Sequence, residues 1–281
     1  MSVADTYPGG KGGQGVYHRI ISELPPHTRL IELFAGHAAI SRTIRPATRG
    51  ALLIDADPRV IAWLVIQDRP GWSFANMDAL AWLGSYTPEH GDVIYADPPY
   101  IRGVRRGGHA IYEVEFDDCA GHQQLLARLH ALTVPVAISH YACPLYRDLL
   151  PGWRTVQFQA ATRGRVATET LWLNYPEPAE LHDYRFIGRD YRDRWNMTRR
   201  VRRWTARLAR MDRHEQLAMM AALREAQLRD PLSAIRLADP FAYAPPVHDL
   251  PVRVYPRLRS HTHTPVAALD DVDGTWEARD Q

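Results

Sequence analysis

The sequence predicts an α/β fold, on three observations. Short apolar strands alternate with helix-forming segments over residues 29–175, and that alternation builds one sheet with helices against it. The first of these strands runs into a small-residue turn, Ala35-Gly36-His37-Ala38-Ala39, as a Rossmann-like nucleotide-binding unit begins. The third observation is the stretch Gly91 to Tyr100, where an apolar strand, Val93 to Ala96, ends abruptly in Asp97-Pro98-Pro99-Tyr100. Neither proline has an N–H, and each biases the residue before it away from helix, so the chain stops pairing and holds a stiff extended turn.

The elements follow in order. Residues 1–6 read as a frayed terminus, and Tyr7 to Gly15 is too glycine-rich for regular structure. Such a loop lets backbone N–H groups and one cation, Lys11, approach an anionic ligand. It lacks the Gly-Lys-Ser/Thr ending of a nucleoside-triphosphate loop. A short helix is predicted from Val16 to Leu24, a strand from Arg29 to Phe34, and a helix from about Ile40 to Ile44. Gly50 to Asp55 is a second strand that ends in an acid about twenty residues beyond the first turn, where it can accept from ribose hydroxyls. The turn does not spell G-x-G-x-x-G, which argues against a dinucleotide. A helix at Arg59–Gln67 and a strand at Trp72–Phe74 lead to Asp78. His37 reads as a turn residue rather than a catalyst.

Beyond the central motif, residues 101–116 carry Arg102, Arg105 and Arg106 among glycines, a basic loop suited to nucleic-acid contact or simply a solvated surface. Asp118 to Leu132 is an amphipathic helix, Val134 to Ser139 a strand, and Pro144 to Leu150 a helix. Thr155–Gln159 and Thr170–Tyr175 are the last strands, the final one antiparallel to its neighbour.

Composition sets the limits. A chain of 281 residues buries a full core, and a formal net charge of +2 says little by itself about partners. The distribution says more. Lys11 is the only lysine, and residues 185–210 hold ten arginines against Asp190 and Asp193. Apolar Met197, Val201, Trp204, Leu208 and Met211 recur there at helical spacing, so this is an amphipathic helix with a guanidinium-rich face. Arg199, Arg200 and Arg203 are its candidate phosphate contacts. Asp212 to Glu215 reads as a capping box for a second helix ending near Pro231. Cys119 and Cys143 match neither a metal site nor a disulfide framework, and no apolar stretch approaches membrane-span length. A cytoplasmic protein without a metal is expected.

The DPPY turn carries the chemistry. At the carboxyl end of a strand it presents a carboxylate, a proline carbonyl and an aromatic face. An exocyclic amine on a planar base requires two acceptors and a stacking surface. Taken alone, the turn is equally an ordinary strand-to-loop connection.

In sequence order, these pieces resemble the Dam-like DNA adenine-N6 methyltransferases, in their compact phage and prophage form, over about residues 7–176. Pro8-Gly9-Gly10-Lys11 is similar to the family's amino-terminal motif, Phe34-Ala35-Gly36-His37-Ala38 to its F-x-G-x-G turn, and Asp97-Pro98-Pro99-Tyr100 to its catalytic motif. Tyr112, His122, Ser139, Tyr141, Tyr146, Trp153 and the Thr168–Asn174 strand continue the match. The resemblance implies a Rossmann-like S-adenosylmethionine-dependent catalytic domain over residues 1–178. A basic helical segment for DNA contact follows over 179–239, and a poorly ordered tail over 240–281. It implies S-adenosylmethionine as cofactor, held by Tyr7, Lys11, Phe34, Gly36, Asp55, Asp78 and Asp97. Asp97, Pro98, Pro99 and Tyr100 are the implied catalytic residues and duplex DNA the partner. Two departures stand out: Ala38 replaces the turn's final glycine, and only a short segment separates Asp78 from Asp97, where larger members insert a sequence-reading domain. N4-cytosine methylation, RNA adenine methylation and a non-catalytic DNA-binding protein with a decayed methylase domain are the alternatives.

Overall fold

The computed structural model describes residues 15–67, 69–101, 116, 118–162 and 165–229. Tyr7, Lys11, Arg102, Arg105, Arg106, Tyr112 and the tail lie outside these residues.

Seven strands form one sheet. β1 (Arg29–Leu33), β2 (Ala51–Asp55), β3 (Trp72–Asn76), β4 (Asp92–Ala96) and β5 (Val136–His140) are parallel, and β6 (Arg154–Thr162) and β7 (Arg165–Leu173) form an antiparallel hairpin. The strand order is β3-β2-β1-β4-β5-β7-β6, with β7 entering antiparallel beside β5. β4 and β5 are buried at every position, as their unbroken apolar runs require of strands covered on both faces. One face packs against α1 (Val16–Ile21) and α2 (Pro58–Ile66) through Ile20, Val60 and Leu64. The other packs against α3 (Ala79–Ser85), α4 (Cys119–His130) and α5 (Pro144–Leu149) through Leu83, Leu125, Leu129 and Tyr146. This is the predicted α/β, Rossmann-like architecture.

The order reverses between β1 and β4, because the chain winds outward through β2 and β3 before returning to β4 and β5. A crevice opens outside the carboxyl ends of strands at such a point, and ligands of open α/β sheets bind there. The opposite edge is spent on structure: Arg29 makes a two-pronged pair with Asp92 (2.8 and 2.6 Å), and the Tyr86 hydroxyl donates to the same carboxylate at 2.7 Å.

Two local expectations are corrected. Residues 40–44 form a series of turns rather than a helix. The Ser41 N–H and hydroxyl are drawn to buried Glu32 (3.1 and 2.5 Å), and Pro46 disfavours helix at Arg45. Conversely, α3 was not expected; it starts where the Asp78 carboxylate accepts from the Ala81 N–H at 2.9 Å.

Beyond the sheet, a 3₁₀ turn (Tyr184–Phe186) precedes α6 (Tyr191–Leu208) and α7 (Arg213–Arg229). The segment before α6 is stitched to the sheet domain. His182 and His27 stack at 3.7 Å, the His27 N–H donates to His182 Nδ1, and Asp183 accepts from the Arg45 N–H at 2.8 Å. No residue of α6 is buried, and no α7 side chain among the described residues is buried either.

Candidate active site

The site is built from two turns at the reversal point. The first follows β1. In five residues, Phe34, Gly36 and Ala38 all take positive φ, at 56°, 49° and 47°. Two of them are not glycine, and left-handed backbone at such residues costs about 1–2 kcal/mol each. Strain of this kind persists only where the surroundings hold it. Here the Ala35 N–H donates to the Ile54 carbonyl and the Ala38 N–H to the Ala35 carbonyl, at 3.0 and 2.6 Å. The Gly36 N–H donates to Asp55 Oδ2 at 2.9 Å. The alternating backbone makes a concave turn whose Ala35, Gly36 and Ala38 amides are held by Ile54, Asp55 and Ala35.

Asp55 stands at the end of β2, as predicted. Its other oxygen, Oδ1, accepts from the Asp57 N–H at 2.9 Å, and burial raises its pKa against those two bonds. A carboxylate has about four acceptor positions, so capacity for a ribose hydroxyl remains beside the turn-holding role. Asp78 is exposed at the end of β3, where it caps α3. His37 packs its ring on Trp63 at 4.4 Å, a turn residue as expected.

The second turn follows β4. β1 and β4 are paired through Leu33 and Ala96, so Phe34 and Asp97 leave adjacent strand ends, and the Asp97 N–H reaches the Leu33 carbonyl at 3.4 Å. Asp97 is held from below. The hydroxyl of Ser139, fully buried on β5, donates to Asp97 Oδ1 at 2.8 Å. Because that proton is committed, the buried Tyr95 hydroxyl donates to Ser139 Oγ, at 2.9 Å. The carboxylate is thus aimed rather than free to rotate.

Pro99 and Tyr100 are fixed by side chains far away in sequence. His122, on α4 and fully buried, lies 3.0 Å from the Pro99 carbonyl and 3.0 Å from the Phe116 carbonyl through Nε2, while Nδ1 meets the Tyr146 hydroxyl at 2.8 Å. Those partners fix the ring as the Nε2–H tautomer. The Ile101 N–H donates to His140 Nε2 at 3.1 Å, and His140 Nδ1–H donates to the Tyr141 carbonyl, which fixes the opposite tautomer. The Tyr100 hydroxyl donates to Glu169 Oε2 at 2.8 Å, and the Tyr100 ring meets Tyr141 edge-on at 4.6 Å. Among the described residues no backbone donor is directed at the Pro98 carbonyl.

The structure therefore brings together Phe34, Gly36, Asp55, Asp97, Pro98, Pro99 and Tyr100. It places Arg199, Arg200 and Arg203 on α6, none of whose residues is buried. Sequence reasoning missed Glu32, Glu169, Tyr95 and His140 as parts of the site's support. A signal existed for the acids. Glu32 sits in an apolar run of β1 and Glu169 leads into the apolar end of β7, Leu171 to Leu173, and a buried carboxylate demands partners.

No family model and no curated protein matches the chain. Solved structures do match. TrmN from Thermus thermophilus is 18% identical over 56% of this chain and 46% of that one, with a TM-score of 0.40. The N-methyltransferase NodS from Bradyrhizobium japonicum WM9 is 15% identical over 56% and 91%, at 0.39. A SAM-dependent methyltransferase from Agrobacterium tumefaciens is 15% identical over 56% and 58%, at 0.34. Similarity this distant decides nothing about what this chain acts on. Among the described residues no cluster of His, Cys, Asp or Glu suits a metal ion, and no helix is long and apolar enough to cross a membrane.

Proposed function

We propose that this protein transfers a methyl group from S-adenosylmethionine to the N6 amino group of adenine in DNA. The observation that carries the reading is the aimed Asp97 carboxylate at the sheet's reversal point, beside the strained Phe34–Ala38 turn. Both groups belong to one crevice, and each is over-determined by its neighbours.

The residues present suit the cofactor. Asp55 retains acceptor capacity for ribose hydroxyls, the Gly36 turn offers close backbone approach, and Phe34 and Asp78 border the crevice. By resemblance, Tyr7 and Lys11 of the amino-terminal loop complete the set. Bound there, the cofactor supplies an electrophilic sulfonium methyl.

The chain's own groups do the rest. An adenine flipped out of the duplex donates hydrogen bonds from its amino group to Asp97 and the Pro98 carbonyl, and the proton that N6 sheds on gaining a methyl group leaves along its bond to the Asp97 carboxylate. Those bonds draw the nitrogen lone pair out of ring conjugation and aim it. Tyr100 gives the base a surface to stack on. The work is positioning and electrostatic stabilisation, without a covalent enzyme intermediate. Basic residues of the 101–116 loop and of α6 supply phosphate contacts.

The test is methyl transfer from labelled S-adenosylmethionine to unmethylated duplex DNA, with Asp97→Ala as control and the modified nucleoside identified. N6-methyladenine that disappears in the variant supports the reading. N4-methylcytosine moves the substrate within the same site. Transfer to structured RNA but not DNA, or no transfer at all, overturns it.

A further inference from the structure

Helix α6 is unusual in composition. Its eighteen residues include Arg192, Arg199, Arg200, Arg203 and Arg207, all exposed. At about 100° per residue, these five guanidinium-bearing positions share an arc of about 100° on the helix surface. Trp195 and Trp204 lie about 40° beyond its two edges, and both are half-exposed, at 47% and 50%. The Arg199 guanidinium lies 4.4 Å from the Trp195 ring centroid and that of Arg207 lies 5.7 Å from Trp204. Among the described residues these five arginines have no acidic partner, since the ion pairs at this end join Arg189 to Asp193 and Arg185 to Asp183.

The first half of the helix faces the sheet domain: Asn196, Met197 and Arg200 line a cavity with Arg19, Ser22 and Glu23. Asp190 caps the helix by accepting from the Asp193 N–H at 2.8 Å, and the backbone of Gly188 lies against that of Arg194. Arg194 also lies close to Gly15, at the start of α1. The segment before the helix is pinned by the His27–His182 stack. The arginine arc is therefore presented on an arm whose base is fixed to the sheet domain.

We infer that the arginine arc of α6, flanked by its two tryptophans, is a rail for the phosphate backbone of duplex DNA. Charge complementarity selects the occupant. Five unpaired guanidinium groups repel a second copy of the same helix, and a rail from Arg192 to Arg207 runs about 22 Å, long enough to follow several consecutive phosphates. The choice of arginine favours phosphate, which its planar fork binds in pairs of hydrogen bonds. Stacking on a tryptophan holds the Arg199 and Arg207 planes before contact, so less rotamer freedom is lost on binding. A lipid surface is the poorer fit. Trp204 borders the apolar side formed by Met197, Val201 and Leu208, but Trp195 lies on the opposite flank of the charged arc, whereas an interfacial helix gathers its aromatic residues on the apolar face. The partner and the general role of α6 rest on the DNA reading above; the five-residue arginine arc, extended to Arg192 and Arg207 and flanked by Trp195 and Trp204, is new.

The experiment measures binding of the full chain to a fluorescent unmethylated duplex across a salt series. Wild type is compared with Arg192→Ala/Arg199→Ala/Arg203→Ala, with the same three positions changed to lysine, and with Trp195→Ala/Trp204→Ala. Circular dichroism verifies that each retains its helix. The alanine triple should flatten the log-affinity against log-salt slope by about 2.7, at about 0.9 per lost phosphate contact. The lysine triple should keep most of the slope. The tryptophan pair should weaken binding about three- to tenfold with the slope unchanged. An alanine triple that matches wild type in slope and affinity overturns the rail, even where N6-methyladenine is formed. Loss of binding to anionic phosphatidylglycerol vesicles, with DNA binding intact, also overturns it, in favour of a lipid surface. Variants that bind as expected in a protein that transfers no methyl group leave the rail standing and remove only the catalytic reading.

Discussion

Ser139 on β5 donates its hydroxyl to Asp97 at the end of β4, across 2.8 Å, with Tyr95 donating into the same serine. This three-residue chain crosses between neighbouring strands and is wholly buried at Tyr95 and Ser139. It converts a carboxylate at a turn into a fixed acceptor.

Ser139→Ala removes that aim. One hydrogen bond to a charged group contributes about 1.5–3 kcal/mol, so methyl transfer should fall about ten- to a hundredfold. Cofactor affinity should change little, because Asp55 and the Phe34–Ala38 turn are untouched. Single-turnover transfer and a cofactor titration, run on the same preparation, check both halves. A loss confined to cofactor binding contradicts the assignment.

Tyr100 separates ring from hydroxyl. Tyr100→Phe keeps the stacking face and loses only the bond to the Glu169 carboxylate, worth about 1.5–3 kcal/mol, so the reading predicts a drop in transfer of at most about ten- to a hundredfold. Tyr100→Ala loses the face itself and should cost far more, chiefly in the rate of the methylation step. Comparing the two in single-turnover assays decides whether the ring or the hydroxyl matters.

Two buried residues should tilt the pH dependence of stability in opposite directions between acid pH and neutrality. Burial, with His182 beside it, pushes His27 down to about 3. Its neutral form is the folded one, so its contribution is full above the ordinary 6.5 and is lost as pH falls toward 3, by at most about 1.4 kcal/mol per pH unit. Burial pushes Glu32 up to about 7, against the Ser41 hydrogen bonds that favour its charge. Its neutral form is favoured by the fold, so that contribution is full below the ordinary 4.5 and is lost as pH rises through 7. Thermal melts from pH 4 to 9 should be nearly level between about 4.5 and 6.5, where the two slopes oppose each other. Glu32→Gln should remove the fall toward pH 7 and expose the rise with pH that His27 contributes.

Two of the turns that use left-handed backbone should respond differently to a change of one methyl group. At Gly50, φ is +78° and an added Cβ would lie 1.7 Å from the Gly71 carbonyl oxygen, so Gly50→Ala should destabilise by about 3 kcal/mol or more. Ala38 already bears its strain. Ala38→Gly relieves about 1–2 kcal/mol, loses about 0.8 kcal/mol of methyl burial, and loosens the unfolded chain by about 0.4–1 kcal/mol. These nearly cancel, so melting should move little. A marked tightening of cofactor binding in Ala38→Gly would mean that the methyl crowds the crevice.

Much of the fold was legible in the chain because its signals are local. Apolar runs of strand length, the prolines after Asp97 and the acid at Asp55 each act within a few residues, and the strands stand where those signals put them. The basic amphipathic pattern of 191–208 likewise announced α6. Short elements were less legible. At residues 40–44 the tertiary attraction of Ser41 to Glu32 replaced a helix, and the cap at Asp78 started one that had not been expected.

What the sequence by itself determined is which chemical groups end which strands. Only the tertiary structure decided which of those ends meet. The β1–β4 neighbourhood sets Phe34 beside Asp97, β5 brings Ser139 beneath that carboxylate, and an antiparallel strand reaches back to offer Glu169 to Tyr100. It also decided that the aromatic and cationic sides of α6 stay in solvent rather than against the core. The reason is range: a proline constrains its neighbour through covalent geometry, whereas Ser139 meets Asp97 across 42 residues only when the sheet has chosen its strand order.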